Sequence, residues 1–376
     1  MKSVLKKLFG GAGRDYLAYL VVIVAFVAIN LMNGGGLLNK RMQGLLVPVC
    51  CYIIMALSLN LTVGVMGELS LGHAGFMSLG AFTGVVVSQS LIESVPNETV
   101  RLVIAIVFGA AVAAVAGFLI GLPVLRLRGD YLAIVTLAFG EIIMDIINCL
   151  IVGHDENGLH VIFNFRGDRS IADLNLVEGG LEIIKGAQGA SGIRTISTFT
   201  AGFIIILITL FIVLNFIRSR AGRAVLAIRD NRIAAESVGV DVMKYKMIAF
   251  VISTTLAGMA GALYGLNFNV ISADKFGFNT SIQILVFVVL GGLGNMLGSI
   301  IAATVLYILP EALRGLDNYR MLMYAVVLIL VMLATNNPKV RNLFMKIIPT
   351  RKKAKGGAAQ CGNSKRAKWC PCRAPR

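Results

Sequence analysis

Residues 218–246 read RSRAGRAVLAIRDNRIAAESVGVDVMKYK, a long polar, helix-capable stretch between two apolar runs that can each span a bilayer. It carries seven basic residues (Arg218, Arg220, Arg223, Arg229, Arg232, Lys244, Lys246) against three acidic ones (Asp230, Glu236, Asp241). An excess of Lys and Arg in a short loop marks the cytoplasmic face of a membrane protein, so this stretch orients everything on either side of it. Asp230 is placed to cap a helix beginning at Asn231, Ala234 and Ala235 favour helix, and Gly239 suits its end. The expectation is a short helix lying at the membrane surface, followed by a turn. The competing reading is a solvated basic loop that only fixes topology.

Composition agrees with a membrane setting. Of 376 residues 57% are hydrophobic and 14% charged, and the mean hydropathy is +0.82. Soluble domains have about half apolar and a quarter charged residues, so this chain is too apolar for one. The formal charge of +16 does not point to nucleic acid, because the basic residues fall between and beyond the apolar runs. The fold class expected is all-α, a polytopic integral membrane protein with roughly nine or ten transmembrane or re-entrant helices. No small-residue cleavage site follows the first apolar run, which reads as a retained span.

Working outward, spans are expected at 199–217 and 248–266 on either side of the basic stretch. Earlier spans fall at 17–32, 45–63, 101–122 and 131–152. Segment 1–16 is a cytoplasmic N-terminal piece, 17–337 a permease-like membrane domain with cytoplasmic loop 218–246, and 338–376 a basic, low-complexity tail expected to be disordered. Residues 153–197 form the longest external connection, with six acidic and four basic residues. Small-residue stripes at Gly80, Gly84 and Ser88, at Gly109, Ala113, Gly117 and Gly121, and at Ala257, Gly261 and Gly265 are helix-packing surfaces. The stretch 64–75 is too glycine-rich for a plain spanning helix. It is either a broken segment buried in protein or a loop before an ordinary helix.

Parity makes a further demand. The tail from Pro338 onward has twelve Lys and Arg and no acid, which favours the inner side. A single span over 282–309 would put it outside. Two short segments, 282–290 and 296–309, joined on the inner side at GGLGN, remove the conflict.

Chemistry is sparse. Cys50, Cys51 and Cys149 lie in apolar runs; Cys361, Cys370 and Cys372 lie in the tail; the three histidines do not cluster. No metal site and no cofactor is expected. No G-x-x-x-x-G-K-[ST] occurs, the nearest approach at 357–364 having Asn363 where Lys is required, so the chain is not expected to be an enzyme or to hold its own nucleotide. Glu141, Asp145 and Asn148 share one face of the 131–152 span, about 15 Å in at Glu141. Charge at that depth must face protein or water. Three readings stay open: a polar wall of a substrate path, a buried structural pair with a basic or amide partner, or a proton relay.

Several stretches carry a resemblance. Ile233, Ala234, Ala235 and Gly239 resemble the core of the EAA loop of ABC importer permeases, with Ile233 where many members have Glu. GELSLGHAGFMSLGAFTG from Gly67, RLRGDYLAIVTLAFGEI from Arg126 and GGLGNMLGSIIAA from Gly291 are similar to LivM-type permeases of branched-chain amino acid importers. The likeness runs from about Gly44 to Pro338 in this sequence.

That resemblance implies a permease in a bacterial cytoplasmic (inner) membrane, moving leucine, isoleucine and valine with ATP hydrolysed by separate subunits. The implied partners are a second homologous permease subunit, two ABC ATPase subunits, a periplasmic amino-acid-binding protein and the lipid bilayer. ATPase coupling is expected at Arg223, Arg229, Arg232, Ala234, Ala235 and Gly239. The translocation path is expected at Gly72, His73, Glu141, Asp145, Asn148, Gly291 and Gly292. The alternative is a proton- or ion-coupled secondary transporter or channel using Glu141 and Asp145.

Overall fold

The computed structural model describes residues 11–34, 40–92, 94–127, 129–155, 158–164 and 181–313, with isolated positions at 322, 325, 326 and 329. The N-terminal ten residues and the basic tail lie outside the described residues. In chain order the elements are α1 (Gly11–Gly34), α2 (Lys40–Asn60) running into a π-helical turn (Leu61–Met66), α3 (His73–Ser90), α4 (Glu98–Val124) and α5 (Asp130–Asn148). Strands β1 (Leu150–Asp155), β2 (Gly158–Phe163), β3 (Leu181–Lys185) and β4 (Ala190–Ser191) follow. Then come α6 (Phe199–Arg218), α7 (Arg220–Asp230), α8 (Arg232–Ser237), α9 (Val242–Gly265), β5 (Val270–Ile271), α10 (Phe278–Gly291) and α11 (Met296–Ala312).

Among the described residues five helices are long and apolar enough to cross a bilayer: Met42–Met66, Glu98–Val124, Phe199–Arg218, Val242–Gly265 and Ala273–Gly291. Leu17–Met32 and Met296–Glu311 are shorter apolar helices. Large apolar side chains stay exposed along α1 (Leu20, Val24, Leu31), α4 (Val107, Phe108, Val115, Leu119) and α6 (Ile204, Phe211). An apolar surface this continuous is stable only against hydrocarbon.

The inner faces interlock through the glycine stripes. α9 packs along both α3 and α4. A Cβ at Gly80 would strike the Gly258 backbone, one at Gly84 would meet Ala262 Cβ at 2.9 Å, and one at Gly117 or Gly261 would strike Thr254 or the Met77 carbonyl. Lipid supplies no hydrophobic drive between helices, so backbone approach over small residues is what holds them together.

Expectation and structure part at the external connection. It is not a plain loop and the chain is not all-α: β1 to β5 form one sheet in the order β2-β1-β3-β4-β5. The hairpin pairs Leu150 with Phe163 and Asp155 with Gly158 around Asp-Glu-Asn-Gly, and Gly158 has φ +125. LIVGHD and GLHVIF are short, β-branched runs joined by turn residues, a hairpin signal that the polar character of the segment masked. The sheet caps one end of the bundle, for Ile193 N–H and Ile196 N–H donate to the Asn269 and Leu266 carbonyls beyond α9, and Gln89 at the end of α3 reaches Gly192 O.

At the opposite end the chain is discontinuous twice. After the π turn, Gly67 takes φ +79, and residues to Gly72 are non-helical before α3 starts at His73. Gly67 lies under the Arg229 side chain, whereas Gly72 abuts Thr136, about 9 Å along α5 from Asp130. The glycine-rich stretch is therefore a broken span that climbs into the protein, not a loop outside it. The second break is the α10–α11 hairpin, turning at Gly292 (φ +93) and Gly294 (φ +78). Its two arms are separate helices as expected, with α10 beginning at Phe278, earlier than the expected 282.

Candidate functional site

The basic stretch forms two helices, not one. α7 is capped by Ser219, whose Oγ accepts from Gly222 N–H at 3.1 Å, and buries Gly222, Val225 and Ile228 on one face. α8 is capped by Asn231, whose Oδ1 accepts from Ala234 N–H at 3.1 Å. The cap expected of Asp230 thus belongs to its neighbour. Gly239 ends the turn with φ +82, and Asp241 caps α9 through Lys244 N–H.

Exposure on α8 reverses one expectation. Ala235 is only 4% exposed, packed with Ile228 and Val242 against Val240 and Tyr245. It anchors the tip to its own chain and is unavailable for docking. Ile233 and Val238 are 77% and 79% exposed, with Ala234 and Gly239 beside them on the surface. Apolar side chains so bare at a polar membrane face are the part of the segment that a partner can cover.

The basic residues also divide. Arg223 is exposed and donates to the Arg218 carbonyl at 3.1 Å; Arg232 pairs with Glu236 at 2.8 Å. Arg229 reaches back to the broken segment while 39% of its side chain stays exposed. Its Nη1 donates to Gly64 O at 2.6 Å, its stem covers Gly67, and Nη2 lies 3.4 Å from Asp230. Lys246, at the start of α9, is 6% exposed and forms an ion pair with Glu68 in the broken segment. Both flanks of the coupling stretch are thus tied to residues 64–68.

Those residues adjoin the hairpin turn. Asn60, fully buried, accepts from Gly294 N–H at 2.8 Å and donates through Nδ2 to Ser299 Oγ at 2.9 Å. A Cβ at Gly64 would collide with Asn60 Oδ1 and the Gly294 backbone. Gly291 packs on Gly298 and Ser299, and Gly292 supplies the positive φ of the turn.

Of the other expected path residues, Gly72 lies against the Thr136 carbonyl, and Leu71 N–H donates to Thr136 Oγ1 at 3.1 Å. His73 is fully buried, with Nε2 2.7 Å from Ser58 Oγ. Glu141 and Asp145 lie toward the surface of α5. Glu141 Oε1 accepts from Phe278 N–H, the first residue of α10, at 3.0 Å. Of the three readings, a structural link to an amide partner is the one with an observed contact. Asp145 is exposed, and Asn148 Oδ1 is buried without a hydrogen-bond partner among the described residues.

Asn60, Gly64, Glu68 and Lys246 escaped the sequence reading. One signal was present: Asn60 is an uncharged polar side chain near the end of an apolar run, where a polar group needs a partner inside the protein. Its partners lie 234 and 239 residues away, and no local pattern predicts that pairing.

Comparison with known proteins supplies the rest. A family model described as branched-chain amino acid transport system / permease component matches residues 41–334. The chain is similar to the high-affinity branched-chain amino acid transport system permease protein LivM of Salmonella typhimurium, 33% identical over 88% of this chain and 76% of that protein. LivM of Escherichia coli is 32% identical over the same shares. The permease protein LivH of Salmonella typhimurium is 25% identical over 75% of this chain and 88% of its own length. No solved structure matches the chain.

Proposed function

Because the chain belongs to the family of permease components of branched-chain amino acid transport systems, we propose that it is one membrane-spanning half of an ABC importer for leucine, isoleucine and valine. Its other half is a second, homologous permease subunit. Two separate ABC ATPase subunits supply the energy, and a periplasmic amino-acid-binding protein delivers substrate to the sheet-capped end. The setting is a bacterial cytoplasmic membrane.

The observation that carries this reading is the α7–α8 tip. It is basic, and its most exposed side chains, Ile233 and Val238, are apolar. In the proposed cycle, closure of the ATPases pulls on this tip and switches the paired permeases between inward and outward access, a rigid-body change of the kind that interfaces amplify. The α5 face bearing Glu141, Asp145 and Asn148 looks out from this chain beside α10. It is proposed to border the substrate path against the second permease, with Gly72 packed on the same helix and His73, Gly291 and Gly292 as further path residues.

Chain direction supports nine crossings among the described residues. α1, the broken segment with α3, α5, α9 and α11 run away from the α7–α8 end; α2, α4, α6 and α10 run toward it. The apolar run 321–334 and the basic tail lie outside the described residues apart from isolated positions. The alternative of proton or ion coupling through Glu141 and Asp145 has less support, since Glu141 is engaged as the cap of α10.

The test is radiolabelled leucine uptake by vesicles holding the chain with its genomic neighbours, ATP supplied and the proton gradient collapsed. Uptake that requires ATP and persists without the gradient is expected. Uptake that follows the gradient and ignores ATP would overturn the proposal.

A further inference from the structure

We propose that Arg229, Gly64 and Asn60 form a positioning relay between the coupling segment and the turn of the α10–α11 hairpin, so that Arg229 transmits motion within this chain. The proposal rests on residues 218–246 being the coupling segment.

The relay starts from a local defect in helix hydrogen bonding. A π-helical turn shifts the ladder from i→i+4 to i→i+5 and often marks a functional site, because it alters which carbonyls stay in the ladder. In residues 61–66 the Gly64 carbonyl accepts from Arg229 Nη1 at 2.6 Å, a charge-assisted bond. Gly67, one turn on, has no side chain, and that lets the Arg229 stem lie across it. Gly64 is itself buried and in backbone contact with Gly294.

Asn60 completes the connection. It sits at i−4 from Gly64 and therefore on the same face of the same rod. Its side chain holds the turn at two points, Gly294 N–H at 2.8 Å and Ser299 Oγ at 2.9 Å. Ser299 lies in the first turn of α11. A displacement of α7 thus reaches the Gly64 carbonyl, then Asn60, then both the turn and the base of α11. Nη1 is engaged by Gly64 and Nη2 lies 3.4 Å from Asp230, while the Arg229 side chain as a whole stays 39% exposed.

The experiment uses the purified complex of this chain with its second permease and ATPases, carrying Arg229→Gln, Asn60→Ala or both, with Lys244→Gln, an exposed basic residue outside the expected coupling set, as control. Three readouts are taken: copurification of the ATPases, leucine taken up per ATP hydrolysed, and hydrogen–deuterium exchange of the 292–295 amides. Copurification is expected to be unchanged in every variant. Uptake per ATP should fall about tenfold in each single variant, and the double variant should be no worse than the poorer single one, since members of one unit are not additive. Exchange at 292–295 should rise about tenfold in all three variants, as local opening becomes easier, and not in the control. Arg229→Lys, which keeps a donor for Gly64 O, should restore slow exchange in part, and serves where Arg229→Gln does not assemble.

Loss of the ATPases on Arg229→Gln, or exchange at 292–295 equal to wild type, would overturn the relay. A wild-type complex that shows no ATP-driven uptake would instead remove the importer reading, and the exchange measurement would still decide the relay.

Discussion

Glu141 of α5 accepts a hydrogen bond from the backbone N–H of Phe278 at 3.0 Å, so that a side chain from one helix caps another that begins 137 residues later. α10 starts at Gly277 with no side-chain cap of its own. Its free N–H groups and the positive end of its dipole therefore meet a carboxylate supplied in trans.

Glu141→Gln keeps an acceptor oxygen at that position and should alter leucine uptake only slightly, with an unchanged pH profile. Glu141→Leu removes the cap and should cost about 1 kcal/mol, the usual worth of an N-cap. Thermal unfolding of the detergent-solubilised complex, alongside uptake across a pH series, checks both. Loss of pH dependence in the Gln variant would restore the proton-relay reading.

Lys246 and Glu68 form a buried ion pair between the base of α9 and the broken segment. Removing one partner strands a charge, so Glu68→Ala or Lys246→Ala alone should destabilise the protein by about 3–5 kcal/mol. Glu68→Gln combined with Lys246→Met leaves no net charge behind and should be markedly milder than either. The yield of monodisperse protein and its unfolding midpoint separate these outcomes.

The α8 tip offers two positions two residues apart with opposite consequences. Ile233→Arg, at a bare site, should leave the permease folded and inserted while the ATPases no longer copurify. Ala235→Glu, which the sequence alone would have chosen as the uncoupling change, should instead reduce accumulation of the protein. It forces a carboxylate among Ile228, Val242 and Tyr245. Membrane-fraction immunoblots with ATPase pull-down distinguish the two.

Helix packing is tested at Gly80, where any Cβ would strike the Gly258 backbone. Gly80→Ala should cost about 1–3 kcal/mol through overpacking. Gly44→Ala, with nothing within 4 Å of the new atom, should be neutral or slightly stabilising in a helix. Unfolding midpoints of the two variants measured side by side decide this.

Much of the fold is local information and could be read in advance. Apolar length, the placement of Lys and Arg, and glycines at four-residue spacing each act through neighbours along one helix or through the membrane itself. Hence the apolar helices at 45–63, 101–122, 199–217 and 248–266, the split of 282–309 into a hairpin and the packing role of Gly80, Gly117 and Gly261 were legible before any coordinates. The sheet was missed because its strands are short and its last pairing joins Ala190 and Ser191 to Ile271 and Val270 beyond α9. The Asp230 cap was missed by one position, Asn231 providing the side-chain oxygen.

The sequence by itself determined that this chain carries apolar helices fit for a bilayer and that residues 218–246 are a basic, helix-forming stretch between two of them. Hydrophobicity and charge are properties of residues and do not wait on contacts. Only the tertiary structure decided how that segment is held: Ala235 turns into the chain, Arg229 is tied to the Gly64 carbonyl, and Ile233 and Val238 point out of it. It also decided that Asn60 meets Gly294 and Ser299. Such partners are chosen by how glycine-faced helices stack in three dimensions, and the spacing of residues along one helix does not encode which distant backbone will lie against it.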